Sequence, residues 1–153
     1  PEPCENLEVS HKDLLDTLFE ARKIPKVKKV FIRSGLRYDY MMLDKDKSVI
    51  DKICMHNISG QLKTAPEHVS DKVLNLMGKP SFSIYCTFKE RFENANKKIG
   101  LKQYILPYFI SGHPGSTINE TIKLTEYLIE SKFVPEQIQD FYPTPGSLST
   151  CMY

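Results

Sequence analysis

Apolar residues recur at steps of three and four along several stretches of this chain and run consecutively along shorter ones between them, so helix and strand signals alternate. Ser10 with Asp13 has the outline of a capping box, and Leu14, Leu15, Leu18 and Phe19 share one face of a helix reaching about Arg22. Ile24-Pro25 ends it. Residues 28–33 carry Val30, Phe31 and Ile32 and predict a buried strand closed by Ser34-Gly35. Residues 37–43 are aromatic and Met-rich, and a second helix is expected over 46–56 with Val49, Ile50, Ile53 and Cys54 inward.

The stretch 60–80 reads as strand, loop and short helix. Residues 61–64 are extended in type and opened by Gly60, while Pro66 disfavours helix at Ala65 and lacks a ladder donor, so the strand is expected to end there. Glu67 and His68 then lie just past a strand's C-terminal end. Ser70 can cap a helix with Val73, Leu74 and Met77 on one face and Gly78 as its stop. In parallel α/β architectures, that end of the strands is where ligands bind.

Ser81 opens a long helix through Tyr85, Phe88, Phe92, Ala95 and Ile99, stopped by Gly100. Residues 103–110 form the most hydrophobic strand, in which Pro107 predicts a bulge or an edge. After the turn Gly112-His113-Pro114-Gly115, Thr117 and Glu120 make a capping box for a helix with Ile118, Ile122, Leu128 and Ile129, running to about Lys132. Residues 137–142 are a last strand and 143–146 a loop. The order is αβαβαβαβ, with strands beginning near 28, 60, 103 and 137, which calls for right-handed parallel crossovers. Such a chain is a single α/β domain over 1–153, either an open layer or about half of a (β/α) barrel of ~250 residues.

Composition narrows the class. With 41% hydrophobic and 26% charged residues in 153, the chain is an ordinary globular one. No apolar run reaches membrane-spanning length, and the start Pro1-Glu2-Pro3-Cys4 has no signal-peptide pattern. A net charge of +2 is too small to argue for nucleic acid globally. Cysteines at 4, 54, 86 and 151 form no CxxC or CxxxCxxC spacing and read as reduced thiols, which points to a cytoplasmic protein. A chain that begins with Pro and ends at Tyr153 after a Pro-rich loop is expected to be a piece of a longer one.

Three strand-end segments, Ala65-Pro66-Glu67-His68-Val69-Ser70-Asp71, Lys28-Lys29-Val30-Phe31-Ile32-Arg33-Ser34-Gly35 and Gln139-Asp140-Phe141-Tyr142-Pro143-Thr144-Pro145, resemble the YgiQ family of radical S-adenosylmethionine (SAM) proteins. The resemblance covers nearly the whole chain. It implies a partial (β/α) barrel of which this chain holds strands three to six. More distant resemblance to radical SAM methylthiotransferases and oxygen-independent coproporphyrinogen oxidase implies the same register, with a ribose-contacting residue at the end of strand four and an Arg for the SAM carboxylate twelve residues on. Glu67 and Lys79 hold those positions here. Lys cannot make the bidentate fork of Arg, so this chain departs from the pattern there. The resemblance further implies that the turn bounded by Gly112 and Gly115 flanks the adenine, with Ser116 where an acidic residue often follows. It sets Tyr108 where one relative has a ribose-binding Asp, assigns backbone adenine contacts to the segment containing Tyr142, and turns Arg33 and Ser34 toward the barrel top.

The resemblance also implies what lies elsewhere. The CxxxCxxC loop that holds a 4Fe-4S cluster belongs to strand one, upstream, so this segment alone is expected to contribute SAM-binding and substrate-cavity walls and to be inactive by itself. Missing neighbours would leave an exposed edge through which the chain self-associates. The alternative is a non-catalytic α/β binding module for RNA, using the basic run 22–29 with Arg33 and Arg37. Blander roles stand beside these. Glu67 could be a solvated loop carboxylate, and His68 a structural residue. His113 could be a turn residue stacked on a neighbour, and Cys54 and Cys86 core thiols.

Overall fold

A computed structural model describes residues 4, 6–135 and 138–153. Seven helices and three strands are found among them: α1 Lys12–Lys23, α2 Tyr38–Leu43, α3 Val49–His56, β1 Gln61–Glu67, α4 Asp71–Leu76, α5 Phe82–Ile99, β2 Tyr104–Ser111, α6 Ile118–Glu130, β3 Gln139–Asp140 and α7 Leu148–Met152. The strands form a parallel sheet ordered β1-β2-β3, alternating with helices and not closed into a barrel. The chain divides into two compact units. One holds Ala65–Ser83 and Pro107–Tyr153, the other Ile84–Leu106 and the described residues up to Thr64.

In the second unit, the three- and four-residue spacing of α5 turns Tyr85, Phe88, Phe92 and Ala95 into one buried face. Tyr38 of α2 meets Tyr85 edge-on at 5.4 Å and Phe88 at 5.8 Å. Val49, Ile50, Ile53 and Cys54 of α3 are buried as their spacing predicts. Gly100, in the left-handed region, ends α5, with the Leu101 and Gly100 amides donating to the carbonyls of Asn96 and Lys97.

Several expectations need correction. Residues 28–33 are not a strand. The apolar run is only three residues long between Lys29 and Arg33, Phe31 is 40% exposed, and the segment's bonds go to Asn57. The Ile32 amide donates to the Asn57 carbonyl, and the Asn57 side chain donates to the Val30 carbonyl. Sheet pairing reaches this region only as an isolated parallel bridge between Leu36 and Thr64. The strands thus number three among the described residues, and αβαβαβαβ loses its first β. The Ser10–Asp13 box does not form either. His11 takes the N-cap of α1 with no side-chain cap bond, because its amide and its ring Nδ1 are both held by Asp44 at 2.7 Å.

β1 continues through Pro66 to Glu67, with Leu62, Thr64 and Pro66 alternately buried. Pro66 lacks a donor but fills a core position, and burial outweighs one ladder bond. β2 is the middle strand, not an edge; its two-pair ladder with β3 begins at Ile110, beyond Pro107. The last strand is shorter than expected, Gln139–Asp140, and its expected start at residue 137 lies outside the described residues.

In the first unit, Phe109 of β2 and Phe82 stand edge-on to Tyr127 of α6 at 6.1 and 5.0 Å, and Val73, Leu74 and Leu124 are buried. The phase of α6 is set by its capping box. The Thr117 amide and hydroxyl both donate to Glu120, which is 5% exposed, and this box turns Glu120 and then Leu124 inward. At ~100° per residue, Ile118, Ile122 and Ile129 then face outward, at 78%, 49% and 71% exposure.

Candidate functional site

The expected site residues other than Ser34 fall in the first unit, around the C-terminal ends of β1 and β2. At the end of β1, Glu67 has φ 65°, and the His68 amide donates to the Pro66 carbonyl at 2.8 Å. A bond from i+2 back to i around a residue of positive φ is a γ-turn of the rare, strained kind. His68 then locks the exit. Its Nδ1 accepts from the amides of Val69 at 3.0 Å and Ser70 at 2.9 Å, so the ring proton sits on Nε2. His68 is 2% exposed, and burial holds its pKa below the ordinary 6.5, with the Glu120 charge opposing and His113 adding to the depression. This is the structural reading of His68.

α4 follows from Ser70, which takes the N-cap position with extended backbone but forms no side-chain cap bond. The helix is anchored instead through Asp71, which accepts from the Phe82 amide at 2.8 Å and the Ser81 hydroxyl at 3.0 Å. Gly78, at φ 69°, closes α4 as the sequence predicts. The Lys79 amide donates to the Leu74 carbonyl at 2.8 Å and the Gly78 amide to Asn75 at 3.1 Å, the two bonds of a Schellman motif. That motif fixes where Lys79 leaves the helix. Its ammonium reaches back to β1, donating to the Ala65 carbonyl at 3.1 Å and pairing with Glu67 Oε1 at 2.8 Å. Both side chains are about a quarter exposed or less, at 26% and 21%.

On β2, Tyr108 is 42% exposed, and its hydroxyl pKa is raised by burial and then by the negative charge of Glu67. Past Gly112 the chain makes a turn in which the Ser116 amide donates to the His113 carbonyl at 2.9 Å. Pro114 takes the second position and Gly115, at φ 81°, the third, the residue types a type II turn requires. Gly115 also abuts α4. A Cβ there would lie 2.5 Å from Leu76 Cδ1.

His113 is buried, at 3% exposure, and fully engaged. Its Nδ1 lies 2.8 Å from the Pro114 carbonyl, which can only accept, so Nδ1 donates; Nε2 and the Ser149 hydroxyl are hydrogen-bonded at 2.7 Å. Its ring meets Phe141 edge-on at 5.1 Å. The turn after β2 is thereby tied to the segment after β3, where Ser111 also bonds Asp140 and the Phe141 amide donates to the Ser111 carbonyl at 2.8 Å. Tyr142 itself is 78% exposed.

Glu67 and Lys79 are therefore brought into direct contact, with Tyr108 in the field of Glu67 and the Gly112–Gly115 turn packed on α4 through Leu76. Ser34 belongs to the second unit and is exposed. Sequence reading missed the His113–Ser149 bond, whose partners are 36 residues apart with no motif between them, and the two-amide clamp of His68. The Thr117–Glu120 spacing did locate a buried carboxylate. Glu120 also pairs with Lys72 at 3.4 Å, and its pKa is held at about 2, first by the Thr117 hydroxyl.

The donor set fits a ligand such as SAM in two respects. Pairing through Oε1 leaves Glu67 Oε2 to accept from hydroxyls, and two of the three Lys79 N–H groups are used, which leaves one for an anionic group. It does not fit an iron–sulfur cluster. Cys54 is buried, and burial with the Asp51 charge pushes its thiol up to about 12; burial also raises Cys86. Among the described residues no three His, Cys, Asp or Glu side chains gather as a metal-binding group, and no helix is long and apolar enough to cross a membrane.

No family model matches the chain. All 153 residues align, 56% identical, with a UPF0313 protein of Clostridium botulinum strain Okra, and 52% identical with a UPF0313 protein of Clostridium perfringens strain SM101. The match takes up 24% and 23% of those proteins. The chain is thus similar throughout to one segment of UPF0313 proteins and spans about a quarter of the length of the curated relatives it matches.

Proposed function

We propose that this chain forms part of the wall of a radical SAM core and binds SAM at the rim of β1 and β2. Glu67 accepts hydrogen bonds from the ribose hydroxyls, and Lys79 donates to the methionyl carboxylate. The Gly112–Gly115 turn flanks the adenine, and backbone of the segment around Tyr142 meets its edge. Tyr108 stands beside the ribose as a hydroxyl donor. The observation that carries this reading is the Glu67–Lys79 pair: a carboxylate held in a strained turn at a strand's C-terminal end, with an ammonium delivered to it by a dedicated helix stop. Strain at such a rim is retained where a group must be presented in one orientation. Bound SAM supplies a sulfonium whose carbon–sulfur bond can be cleaved reductively, and the residues of this chain contribute binding and orientation to that chemistry. The cluster resides outside the described residues, in the longer polypeptide, which acts on a substrate lying over the same rim.

The test is calorimetric titration of the full-length polypeptide carrying this chain with SAM and, separately, with 5′-deoxyadenosine. Glu67→Ala is expected to weaken both by about tenfold or more, the loss of charge-assisted hydrogen bonds. Lys79→Met is expected to weaken SAM and spare 5′-deoxyadenosine, which has no carboxylate. Equal binding by wild type and Glu67→Ala would refute the assignment.

A second reading, RNA binding by the second unit, has one observation in its favour. Cations stand over aromatic rings there, Lys29 over Phe31 at 5.9 Å and Arg37 over Tyr40 at 4.2 Å, although Asp39 occupies the Arg37 fork. Retention on single-stranded RNA that falls with salt and with Phe31→Ala would favour it.

A further inference from the structure

Helix α6 carries apolar residues on two opposite faces. Leu124 is buried on the inner one, Tyr127 meets Phe109 of β2 edge-on at 6.1 Å, and the capping box buries Glu120 on the same side. At ~100° per residue, Ile118, Ile122 and Ile129 lie about half a turn away from these, directed off the sheet, and all three are exposed. Thr125 completes the row, with its hydroxyl donating back to the Thr121 carbonyl at 3.0 Å. Positions 118, 122, 125 and 129 follow one another at steps of four, three and four, the spacing of a seam along which one helix packs lengthwise on another.

Solvent does not account for this row. The outer face of a surface helix is ordinarily polar, and β-branched isoleucine is a poorer helix former there than Ala, Lys or Glu. A contiguous apolar row of this kind marks a contact, and its size says with what. Three isoleucines and a threonine present on the order of a few hundred Å², well below the ~800 Å² per partner of a stable interface between separate chains. Two separate chains must also offset their lost translational freedom, whereas a segment tethered in the same polypeptide is held at a high effective concentration and can dock on a small seam. Such segments exist in the relatives: the UPF0313 proteins that match this chain carry most of their length outside the matched region.

We propose that the outer row of α6 is the docking seam for an amphipathic helix belonging to the part of the longer polypeptide outside these 153 residues. That helix lies lengthwise along α6, with its own apolar row against Ile118, Ile122, Thr125 and Ile129, and adds a layer beyond the sheet and its crossover helix. The seam shares no residue with the Glu67–Lys79 rim, and its test does not depend on SAM.

A photo-cross-linking amino acid placed at position 125 of the full-length polypeptide, read out by peptide mass spectrometry, identifies the occupant directly. Cross-links are expected within a single polypeptide, to a segment outside these 153 residues that has apolar residues at three- and four-residue steps. In parallel, Ile122→Ala and Ile129→Ala should each lower the thermal unfolding midpoint of the full-length polypeptide by about 3 °C or more, equally at low and at high protein concentration. On a solvated face the same substitutions would leave the midpoint unchanged or raise it, because Ala is the better helix former. That result overturns the proposal, as does the absence of any cross-link, or cross-links confined to these 153 residues, to a second copy or to another protein.

Discussion

At Glu67 the backbone and the side chain make opposing demands. A φ of 65° costs an L-residue about 1–2 kcal/mol, while a partly exposed ion pair returns about 1 kcal/mol or less. Glu67→Gly removes both, so it is expected to be as stable as wild type or up to about 1 kcal/mol more so in urea unfolding, while losing SAM binding. A clear destabilisation would mean that the pair, and not the ligand, is what the turn serves. Two buried groups nearby set the pH response. His68 is buried with two amides donating to its Nδ1, and burial lowers its pKa from 6.5. Its contribution is present above pH 6.5 and is lost as pH falls through the lowered value. Glu120 falls from 4.5 to about 2, so its contribution is present above 4.5 and is lost as pH drops toward 2. Unfolding curves measured stepwise from pH 7.5 to 3 should show stability declining throughout, with Glu120→Gln flattening only the part below 4.5. In the same series, ring resonances of His68 should titrate below those of an ordinary histidine.

At the scale of elements, the sequence was legible wherever a local pattern and burial agree. α3 and α5 sit where the apolar spacing sets them, and Gly78 and Gly100 end their helices through Schellman bonds. Legibility failed where a distant partner decided. Asp44, 33 residues from His11, displaces the Ser10 box, and Asn57 takes the bonds that a strand over 28–33 would have used. In α6 the capping box was legible, and its consequence, Glu120 turned inward and the isoleucines at 118, 122 and 129 carried to solvent, was not. The candidate site was legible as positions and not as contacts. Glu67 and Lys79 were both placed on one rim, whereas their pairing depends on the Schellman turn aiming Lys79 back at β1. Contact between elements gives a sharp test at Gly115. Gly115→Ala places a methyl against Leu76 and an L-residue at φ 81°, so it should destabilise by about 2–3 kcal/mol. Adding Leu76→Ala should relieve the steric part, making the pair less than additive in a double-mutant cycle. Strict additivity would remove the α4–turn contact from the account.

At the scale of the whole molecule, the chain spans about a quarter of the length of the curated relatives it matches, and the role proposed for it is that of a wall. It presents a carboxylate, an ammonium, a tyrosine hydroxyl and a tight Pro-Gly turn on the ends of parallel strands. It has no thiolate set for a cluster among its described residues. The open three-stranded sheet accords with a layer as well as with part of a barrel, so the architecture alone does not select the chemistry. The most direct test is anaerobic reconstitution of the full-length polypeptide with iron and sulfide, followed by SAM, a reductant and an assay for 5′-deoxyadenosine. The account predicts that 5′-deoxyadenosine forms and that Glu67→Ala lowers its yield at limiting SAM, with the cluster content unchanged. A loaded cluster that leaves SAM intact under every reductant, or cleavage that is indifferent to Glu67, would contradict it.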